Sequence, residues 1–396
     1  WQAPKENRSF STIYGTCSSP TVSGCTFSEN IATNGKGGGM YNNYSSPTAT
    51  DCTFSGNTAS AGGGGMYNYY GNPAVSGCTF SGNTADYGGG MYNGGGSQTV
   101  THCTFSGSTG TYDGGGMYND DSSSPTVTDC TFSGNIATNG KGGGMYNDYY
   151  SSPTVTDCTF SGNTASAGGG MNNRYANPAV TNCAFSGNTG GGMYNYSSRP
   201  TVSGCTFSEN TGYYGGGIYN YYSRPIVTNC TFSGNTASYG GGMYNNDSDT
   251  TVINCTFTGN TAYSGGGMHN LNSSSPTVTN CIFSGNTATD GKGGGMYSYN
   301  SSPTVTNGTF IGNTANTGGG MYNKGGSPTV TNCTFSGNIA TNDKGGGMYN
   351  DSSDPTVSRC TFSGNPASAG GGGMYNYYGR PAVSGCTFRA SNKTPL

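Results

Sequence analysis

A cysteine recurs every 22 to 28 residues along almost the whole chain, and this repeat restricts the fold more than any other feature. The positions of the cysteine column are Cys25, Cys52, Cys78, Cys103, Cys130, Cys158, Cys183, Cys205, Cys230, Cys255, Cys281, Cys333, Cys360 and Cys386. Gly308 takes the place between the eleventh and twelfth of these. Because a unit this short cannot bury an apolar face alone, successive units must stack. The sequence therefore predicts a solenoid of about fifteen coils.

Each unit reads G-G-G-M-Y-N, a variable turn, and then S-P-T-V-T-N-C-T-F-S-G-N-T-A. In a strand, alternate side chains point to opposite faces, so Val, Cys and Phe share one face and Thr the other. The 13 Met residues, Met40 to Met374, fall in one further column, with Ile218 as the exception. Glycine triplets and the absence of a 3.6-residue apolar period argue against helix.

These columns predict an all-β fold, a single-stranded right-handed parallel β-helix (β-solenoid) with three short strands per coil. The handedness follows from the rule for crossover connections. We place the β-helix at residues 13–388, after an N-terminal segment at 1–12 and before a C-terminal tail at 389–396. Ile13 and Tyr14 align with the Met-Tyr pair and open the first coil. The chain begins at Trp1 rather than Met, which we interpret as a processed form or a fragment.

Composition excludes some classes of partner. The net charge is -3 and only 8% of the residues are charged, too little for electrostatic capture of nucleic acid. No stretch approaches the roughly 20 apolar residues that cross a bilayer. We therefore expect neither a nucleic-acid partner nor a membrane-spanning segment.

The cysteine column is expected to be a ladder of reduced, buried thiols. Neighbouring positions would lie about 4.8 Å apart, whereas disulfide Cβ atoms prefer about 3.8 Å. Strained bridges between adjacent coils are the alternative, and Cys17, outside the column, is a candidate intermolecular link. No C-x-x-C occurs, and the nonapeptide of calcium-binding β-rolls is missing. We expect no metal and no cofactor.

Catalytic residues are not evident. Glutamate occurs only at positions 6, 29 and 209, and His102 and His269 lie in different columns. No nucleophile–base pair or paired carboxylates can be recognised in the repeat. The sequence therefore predicts a protein that is not an enzyme.

The tyrosine after each Met is predicted to point outward, forming an exposed contact stripe. The stripe comprises Tyr41, Tyr67, Tyr92, Tyr118, Tyr146, Tyr194, Tyr219, Tyr244, Tyr297, Tyr322, Tyr349 and Tyr375. It could hold a glycan, a partner or a second copy. Alternatively, outward aromatics only favour strand pairing.

Outward threonines give a rival hypothesis. Thr126 and Thr128, or Thr304 and Thr306, form T-x-T pairs that would repeat about every 4.8 Å up the stack. Such an array resembles the face of ice-binding solenoids, although Ala74, Ala179 and Ile226 interrupt it. An ordinary outward strand position is the simpler interpretation.

The combination of F-x-x-N with a following G-G-x-apolar resembles the repeat of the polymorphic outer-membrane proteins, a family of bacterial autotransporter adhesins. Examples are F-S-G-N at 54–57 with G-G-M at 64–66, and F-S-G-N at 232–235 with G-G-M at 241–243. Ser108 and Ser391 replace the Asn in two coils. The resemblance implies a secreted right-handed β-helical passenger with an adhesive surface.

The repeat units are nearly identical, which favours a fibre-forming protein over a diversified adhesin. Neither the segment before Ile13 nor the one after Phe388 has the pattern of an amphipathic capping helix. We therefore predict an extracellular or cell-surface structural protein whose copies stack head to tail into a filament. The alternative is an adhesin that binds glycan or a partner through the tyrosine stripe, and the less favoured one is an ice-binding protein.

Overall fold

The computed structural model describes residues 13–16 and 18–390, with side chains from residue 18 onward. The chain divides into two compact units, residues 1–201 and 202–396, and each is described by itself. The predictions for the segment 1–12, for Cys17 and for residues 391–396 of the tail lie outside the described residues.

The first unit consists of parallel sheets in which each strand pairs with the equivalent strand of the next repeat. The Met–Tyr sheet contains Ile13–Thr16, Met40–Asn43, Met66–Tyr69, Met91–Gly94, Met117–Asp120, Met145–Asn147, Met171–Arg174 and Met193–Tyr196. The Val sheet contains Thr21–Ser23, Thr48–Thr50, Ala74–Ser76, Thr99–Thr101, Thr126–Thr128, Thr154–Thr156 and Ala179–Thr181. The Phe sheet contains Thr26–Ser28, Thr53–Ser55, Thr79–Ser81, Thr104–Ser106, Thr131–Ser133, Thr159–Ser161 and Ala184–Ser186. A fourth sheet contains Ile31–Ala32, Thr58–Ala59, Thr84–Tyr87, Thr109–Asp113 and Ile136–Ala137.

The second unit has the same four sheets. Its Val sheet contains Thr201–Ser203, Ile226–Thr228, Thr251–Ile253, Thr277–Thr279, Thr304–Thr306, Thr329–Thr331, Thr356–Ser358 and Ala382–Ser384. Its Phe sheet contains Thr206–Ser208, Thr231–Ser233, Thr256–Thr258, Ile282–Ser284, Thr309–Ile311, Thr334–Ser336, Thr361–Ser363 and Thr387–Arg389. Its Met–Tyr sheet contains Ile218–Tyr221, Met243–Asn246, Met268–Leu271, Met296–Tyr299, Met321–Lys324, Met348–Asp351 and Met374–Tyr377. Its fourth sheet contains Thr211–Tyr214, Thr236–Tyr239, Thr261–Ser264, Thr287–Ala288, Thr314–Ala315 and Ile339–Ala340.

The strand register matches the columns of the repeat. Val100 pairs with Val127, and Phe105 pairs with Phe132, in adjacent coils of the first unit. Val127 is fully buried, whereas Thr126 beside it is exposed. The alternation of apolar and hydroxyl side chains therefore sets the inner and outer faces, as the sequence predicts.

The fourth sheet differs from the predicted three strands per coil. Its strands begin at the T-A, T-G or I-A pair after F-S-G-N or its equivalent, and the alanine turns inward, with Ala85 2% exposed. Strands of two to five residues carry too little alternation to be recognised in the sequence. They pair because the strands before them are already held in register.

Identical side chains stack inside each unit. The Phe rings of adjacent coils, such as Phe80 and Phe105, lie 4.7 Å apart between centroids and are almost parallel. The column extends from Phe27 to Phe185 in the first unit with every ring buried. Stacked aromatic rings add to the free energy gained by burying their apolar area.

Asparagine side chains form buried ladders at two corners of the coil. At the F-S-G-N corner, Asn57 Nδ2 donates to Asn83 Oδ1 at 2.9 Å and to the Phe27 carbonyl at 2.9 Å. At the M-Y-N corner, Asn68 Nδ2 donates to Asn93 Oδ1 at 2.8 Å. These amides satisfy one another across coils, so a polar residue can be buried at each turn.

The glycine triplet allows the coils to approach closely. A Cβ atom on Gly242 would lie 2.6 Å from the Gly267 carbonyl oxygen of the next coil and 2.7 Å from Phe257 Cδ1. A hydrogen bond from Met243 N to Gly267 O at 3.0 Å fixes that neighbouring backbone. Glycine is therefore required at position 242, because any side chain there would collide with the next coil.

Candidate ligand-binding cleft

The tyrosine column is largely covered, which corrects the predicted exposed stripe. Seven of its members are at most 9% exposed, namely Tyr67, Tyr118, Tyr146, Tyr194, Tyr244, Tyr322 and Tyr349. The remaining members, Tyr41, Tyr92, Tyr219, Tyr297 and Tyr375, are half-buried. The rings lie along the sheet and stack on one another, as Tyr67 and Tyr92 do at 4.7 Å. A contact role for this column remains a prediction.

Lysines from the preceding coil help to cover these rings. Lys36 Nζ donates to the Tyr67 hydroxyl at 2.8 Å and lies 4.7 Å from the ring centroid. Lys292 makes the same pair of contacts with Tyr322, at 3.0 and 4.7 Å. A cation above an aromatic ring is attracted by the ring quadrupole. Burial, the largest cause, raises the pKa of both tyrosines.

Exposed tyrosines lie elsewhere, in the turns and on the fourth sheet. Tyr150 and Tyr378 in the turns are 72% and 82% exposed. On the fourth sheet of the second unit, Tyr213 and Tyr263 are 64% and 51% exposed. The aromatic surface available to a partner therefore differs from the one that the sequence predicts.

The fourth sheet and the Met–Tyr sheet of the second unit line an open cleft of about 680 Å³, which we call the tyrosine cleft. One wall carries Tyr213, Tyr239 and Tyr263 from the fourth sheet, and the other carries Tyr244 and Tyr297 from the tyrosine column. Pockets of roughly 300–1,000 Å³ with apolar walls and a few polar groups are typical of small-ligand sites.

Tyr239 lies at the centre of this aromatic cluster. Its ring is 6.1 Å from that of Tyr213 and 6.2 Å from that of Tyr263, both edge to face. Its ring centroid is also 5.5 Å from the imidazole of His269, again edge to face. Edge-to-face packing leaves ring faces and hydroxyl groups at different angles around one space.

His269 occupies a tyrosine-column position and lines the cleft. Its Nδ1 lies 3.3 Å from the Ser264 carbonyl oxygen, and its ring is 4.5 Å from that of Tyr297. The residue is 4% exposed, and its Nε2 has no hydrogen-bond partner among the described residues. Burial lowers the pKa of His269 to about 4, so the ring is neutral at neutral pH.

Two charged residues lie at the cleft, Lys292 and Asp290. Burial, the largest cause, lowers the pKa of Lys292. Asp290 is exposed, and it is the single carboxylate among the described residues that line the cleft. The cleft thus combines aromatic walls with hydroxyl groups and little net charge.

The second tyrosine set on the fourth sheet was missed by the sequence analysis, because the strands that carry it were not recognised. A signal is present after F-S-G-N or its equivalent, where T-G-Y-Y, T-A-S-Y and T-A-Y-S follow in consecutive coils. His269 is also not singled out by the sequence, which shows only that it lies in a different column from His102. Only the placement of the fourth sheet brings these residues together.

The cysteine column lies inside the coils as expected. Cys25 and Cys386 are half-buried, the other members are buried, and all 14 are free thiols. Cys130 Sγ is 3.2 Å from the Thr128 carbonyl, and the Cys103 backbone amide donates to Cys130 Sγ at 3.4 Å. Contact with the Cys103 thiol, together with burial, raises the pKa of Cys130 to about 12. With its pKa raised in this way, the Cys130 thiol stays protonated and is a poor nucleophile at neutral pH. Their redox state outside a reducing compartment stays a prediction.

The other candidate residues lie apart from the cleft. His102 is exposed, with Nε2 3.5 Å from an Asp129 carboxylate oxygen. The threonine pairs stack in register, as Thr126 does with Thr154, but ice binding stays a prediction. Within the described part of the chain, no cluster of three or more His, Cys, Asp or Glu residues could hold a metal ion. Nor is any helix there long and apolar enough to cross a bilayer.

The fold is a parallel β-solenoid, and comparison with known proteins assigns the chain to a family with this fold. The family described as right-handed β-helix region matches overlapping segments at 11–167, 99–241, 131–283, 211–335 and 245–395. The chain belongs to this family, which confirms the predicted fold class and its handedness.

One solved structure is similar over most of the chain, the crystal structure of tailspike protein 3 of bacteriophage CBA120. The similarity has a TM-score of 0.44 and 13% sequence identity, and it covers 97% of this chain and 53% of the tailspike. The chain thus spans about half the length of that protein. The comparison with curated proteins gave no significant match.

Proposed function

We propose that the protein is an extracellular or cell-surface β-helix that binds neutral glycans in the tyrosine cleft. The observation that carries this proposal is the convergence of Tyr213, Tyr239 and Tyr263 with Tyr244 and Tyr297 around a space of about 680 Å³. This is the adhesin alternative of the sequence analysis, moved from the tyrosine column to a neighbouring surface.

Neutral sugars match the chemistry of the cleft. The C–H faces of a pyranose ring pack on aromatic rings, and its hydroxyl groups need donors and acceptors at the edges. Tyrosine supplies both a ring and a hydroxyl group, and it loses little conformational entropy when it binds. The half-exposed faces of Tyr213 and Tyr263 are available for such packing without rearrangement of the coil.

The cleft favours binding over hydrolysis. Most glycoside hydrolases use two carboxyl groups that flank the scissile bond. Among the described residues, Asp290 alone contributes a carboxylate to this cleft. We therefore assign the cleft a recognition role.

Affinity electrophoresis in gels that contain neutral polysaccharides (hydroxyethylcellulose, glucomannan, xyloglucan or laminarin) tests the proposal. The chain is expected to be retarded by at least one of them. A Tyr213→Ala/Tyr263→Ala double variant should bind about tenfold more weakly, because each ring removed deletes a stacking contact.

Tyr112→Ala is the matched control, because Tyr112 is a 46%-exposed tyrosine of the fourth sheet in the first unit, outside the cleft. It should leave retardation unchanged. Normal retardation of the double variant, or no retardation of the parent chain on any gel, would refute glycan binding at this cleft.

End-to-end assembly, the leading prediction from the sequence, is the second candidate. In the last described coil, Val383 is 44% and Phe388 is 51% exposed, whereas Val357 and Phe362 one coil earlier are buried. A further copy stacked on this coil would cover both side chains. We rank this candidate second because it rests on two side chains, whereas five tyrosines converge on the cleft.

A Val383→Asp/Phe388→Asp variant tests assembly, because two charges on this surface would have to be desolvated in any stacked contact. The parent chain should form filaments in negative-stain electron micrographs, and the variant should remain monomeric in sedimentation velocity. A parent chain that is monomeric at high concentration would rule the filament out. The kinship with polymorphic outer-membrane proteins stays a prediction.

A further inference from the structure

Among the described residues that line the tyrosine cleft, His269 is the one with a buried side-chain nitrogen that has no hydrogen-bond partner. It lies between Tyr244 and Tyr297 in the strand register, at a position that holds tyrosine in both adjacent coils. A tyrosine there would place its hydroxyl group near the edge of the stack. The imidazole instead keeps a nitrogen within the aromatic cluster.

The hydrogen bond to Ser264 determines which nitrogen carries the proton. The Ser264 carbonyl oxygen can only accept, so Nδ1, 3.3 Å away, must be the N–H donor. A neutral imidazole has one N–H, and Nε2 is therefore the unprotonated acceptor. The low pKa of the ring, caused by its burial, keeps it in this neutral form at neutral pH.

This acceptor is costly to the folded protein. His269 is 4% exposed, and no described residue donates to Nε2. A buried polar atom without a partner has lost its hydration and gained no hydrogen bond in return. The rings of Tyr239, Tyr244 and Tyr297 lie within 5.5 Å of the imidazole between centroids and leave less than 1 Å² of Nε2 exposed, so a ligand hydroxyl reaches this acceptor only when one of the three rings turns aside.

We infer that His269 Nε2 accepts a hydrogen bond from a hydroxyl group of the bound glycan and thereby fixes the orientation of the sugar in the cleft. The inference rests on the proposed function and names the group that the ligand must supply. An unprotonated nitrogen acceptor repels a carboxylate, so the sugar at this subsite is neutral and donates a hydroxyl proton.

Three variants separate this role from a packing role. His269→Phe removes the acceptor and keeps a ring of similar shape. His269→Gln offers an amide oxygen at nearly the same reach as Nε2 and restores an acceptor. Since His269→Phe also removes an unsatisfied polar atom, its thermal unfolding midpoint should equal or exceed that of the parent chain. Tyr112→Ala again serves as the control outside the cleft.

Isothermal titration with cellohexaose, mannohexaose, xylohexaose and chitohexaose provides the measurement, with trigalacturonate as an acidic probe. We expect His269→Phe to bind the preferred neutral hexasaccharide about tenfold more weakly, and His269→Gln to bind it within about threefold of the parent chain. Trigalacturonate should bind none of them.

Each contrary result has a distinct meaning. If the parent chain and His269→Phe bind the same hexasaccharide equally, the inference is wrong and the proposed function stands. Equal loss in His269→Phe and His269→Gln, with unchanged unfolding midpoints, also overturns it, because the imidazole shape rather than the acceptor would then matter. If the parent chain binds no neutral probe, both the inference and the proposed function fail.

Discussion

A Gly242→Ala variant is expected to lose about 3 kcal/mol or more of unfolding free energy, enough to prevent the surrounding coils from stacking normally. The added Cβ would lie 2.6 Å from the Gly267 carbonyl oxygen and 2.7 Å from Phe257 Cδ1. Neither neighbour can move easily, because Gly267 O accepts the Met243 backbone hydrogen bond and the Phe257 ring is stacked on both sides. Urea unfolding followed by circular dichroism measures the loss.

Gly259→Asn provides the control for that variant. Gly259 has a φ of +61°, and no heavy atom lies within 4 Å of the position that its Cβ would occupy. Asn tolerates this left-handed conformation better than other residues that carry a Cβ atom. A change within about 1 kcal/mol is expected. Equal destabilisation by the two variants would show that lost glycine flexibility, rather than the close approach of coils, explains the triplet.

Replacing Asn260 with Leu is expected to cost about 4 kcal/mol, the second large effect. Five of the hydrogen bonds of Asn260, at 2.9–3.1 Å, link its backbone and side chain to Asn235, Phe232 and Asn286. Leucine has a similar volume but leaves the Asn235 amide and the Phe232 carbonyl without these partners in a buried site. Each such group costs about 1–3 kcal/mol. Thermal and urea unfolding give the change in stability.

An exposed asparagine of the same coil serves as the comparison. Asn254 has a φ of +55°, and at the surface its side chain donates to Asn229 at 3.2 Å and accepts from Asn280 at 3.1 Å. Asn254→Gly should change stability by less than about 1 kcal/mol, because glycine accepts this backbone and water replaces both bonds. A similar loss in both variants would contradict a special role for the buried ladder.

The asparagine ladder at the M-Y-N corner also predicts a stabilising substitution at Ser298, where a serine interrupts the ladder. Ser298 stands where asparagine would continue the M-Y-N column, and Asn323 Oδ1 is left buried without a partner. Ser298→Asn should supply an Nδ2 donor to that oxygen and an acceptor to Asn270 Nδ2, which now donates to Ser298 Oγ at 3.3 Å. We expect about 1 kcal/mol of added stability.

The repeat made the inner columns predictable because identical residues meet in adjacent coils. Val100 over Val127 and Phe105 over Phe132 follow from counting along the chain. The burial of Tyr67 could not be obtained in this way, since it depends on Lys36 from the preceding coil and on stacking with Tyr92.

The tyrosine cleft depended on a strand that the sequence does not mark. Tyr239 reaches the cleft because the short strand Thr236–Tyr239 pairs beside Thr261–Ser264. Alternation over so few residues is too weak to distinguish such strands from turns. The sequence shows His269 only as a histidine where adjacent coils have tyrosine. That its Nε2 lacks a hydrogen-bond partner is visible only in the folded protein.

The buried side-chain ladder at the M-Y-N corner has an electrical direction in the first unit. The backbone hydrogen bonds between coils run both ways: Thr53 N donates backward to Cys25 O, and Gly24 N donates forward to Thr50 O. Their dipoles therefore largely cancel, as in other sheets. The buried amides of the M-Y-N corner do not cancel, because Asn68 and Asn93 both donate toward the following coil. The M-Y-N ladder of the first unit consequently carries a permanent dipole along its length, and its first and last amides present unlike partial charges.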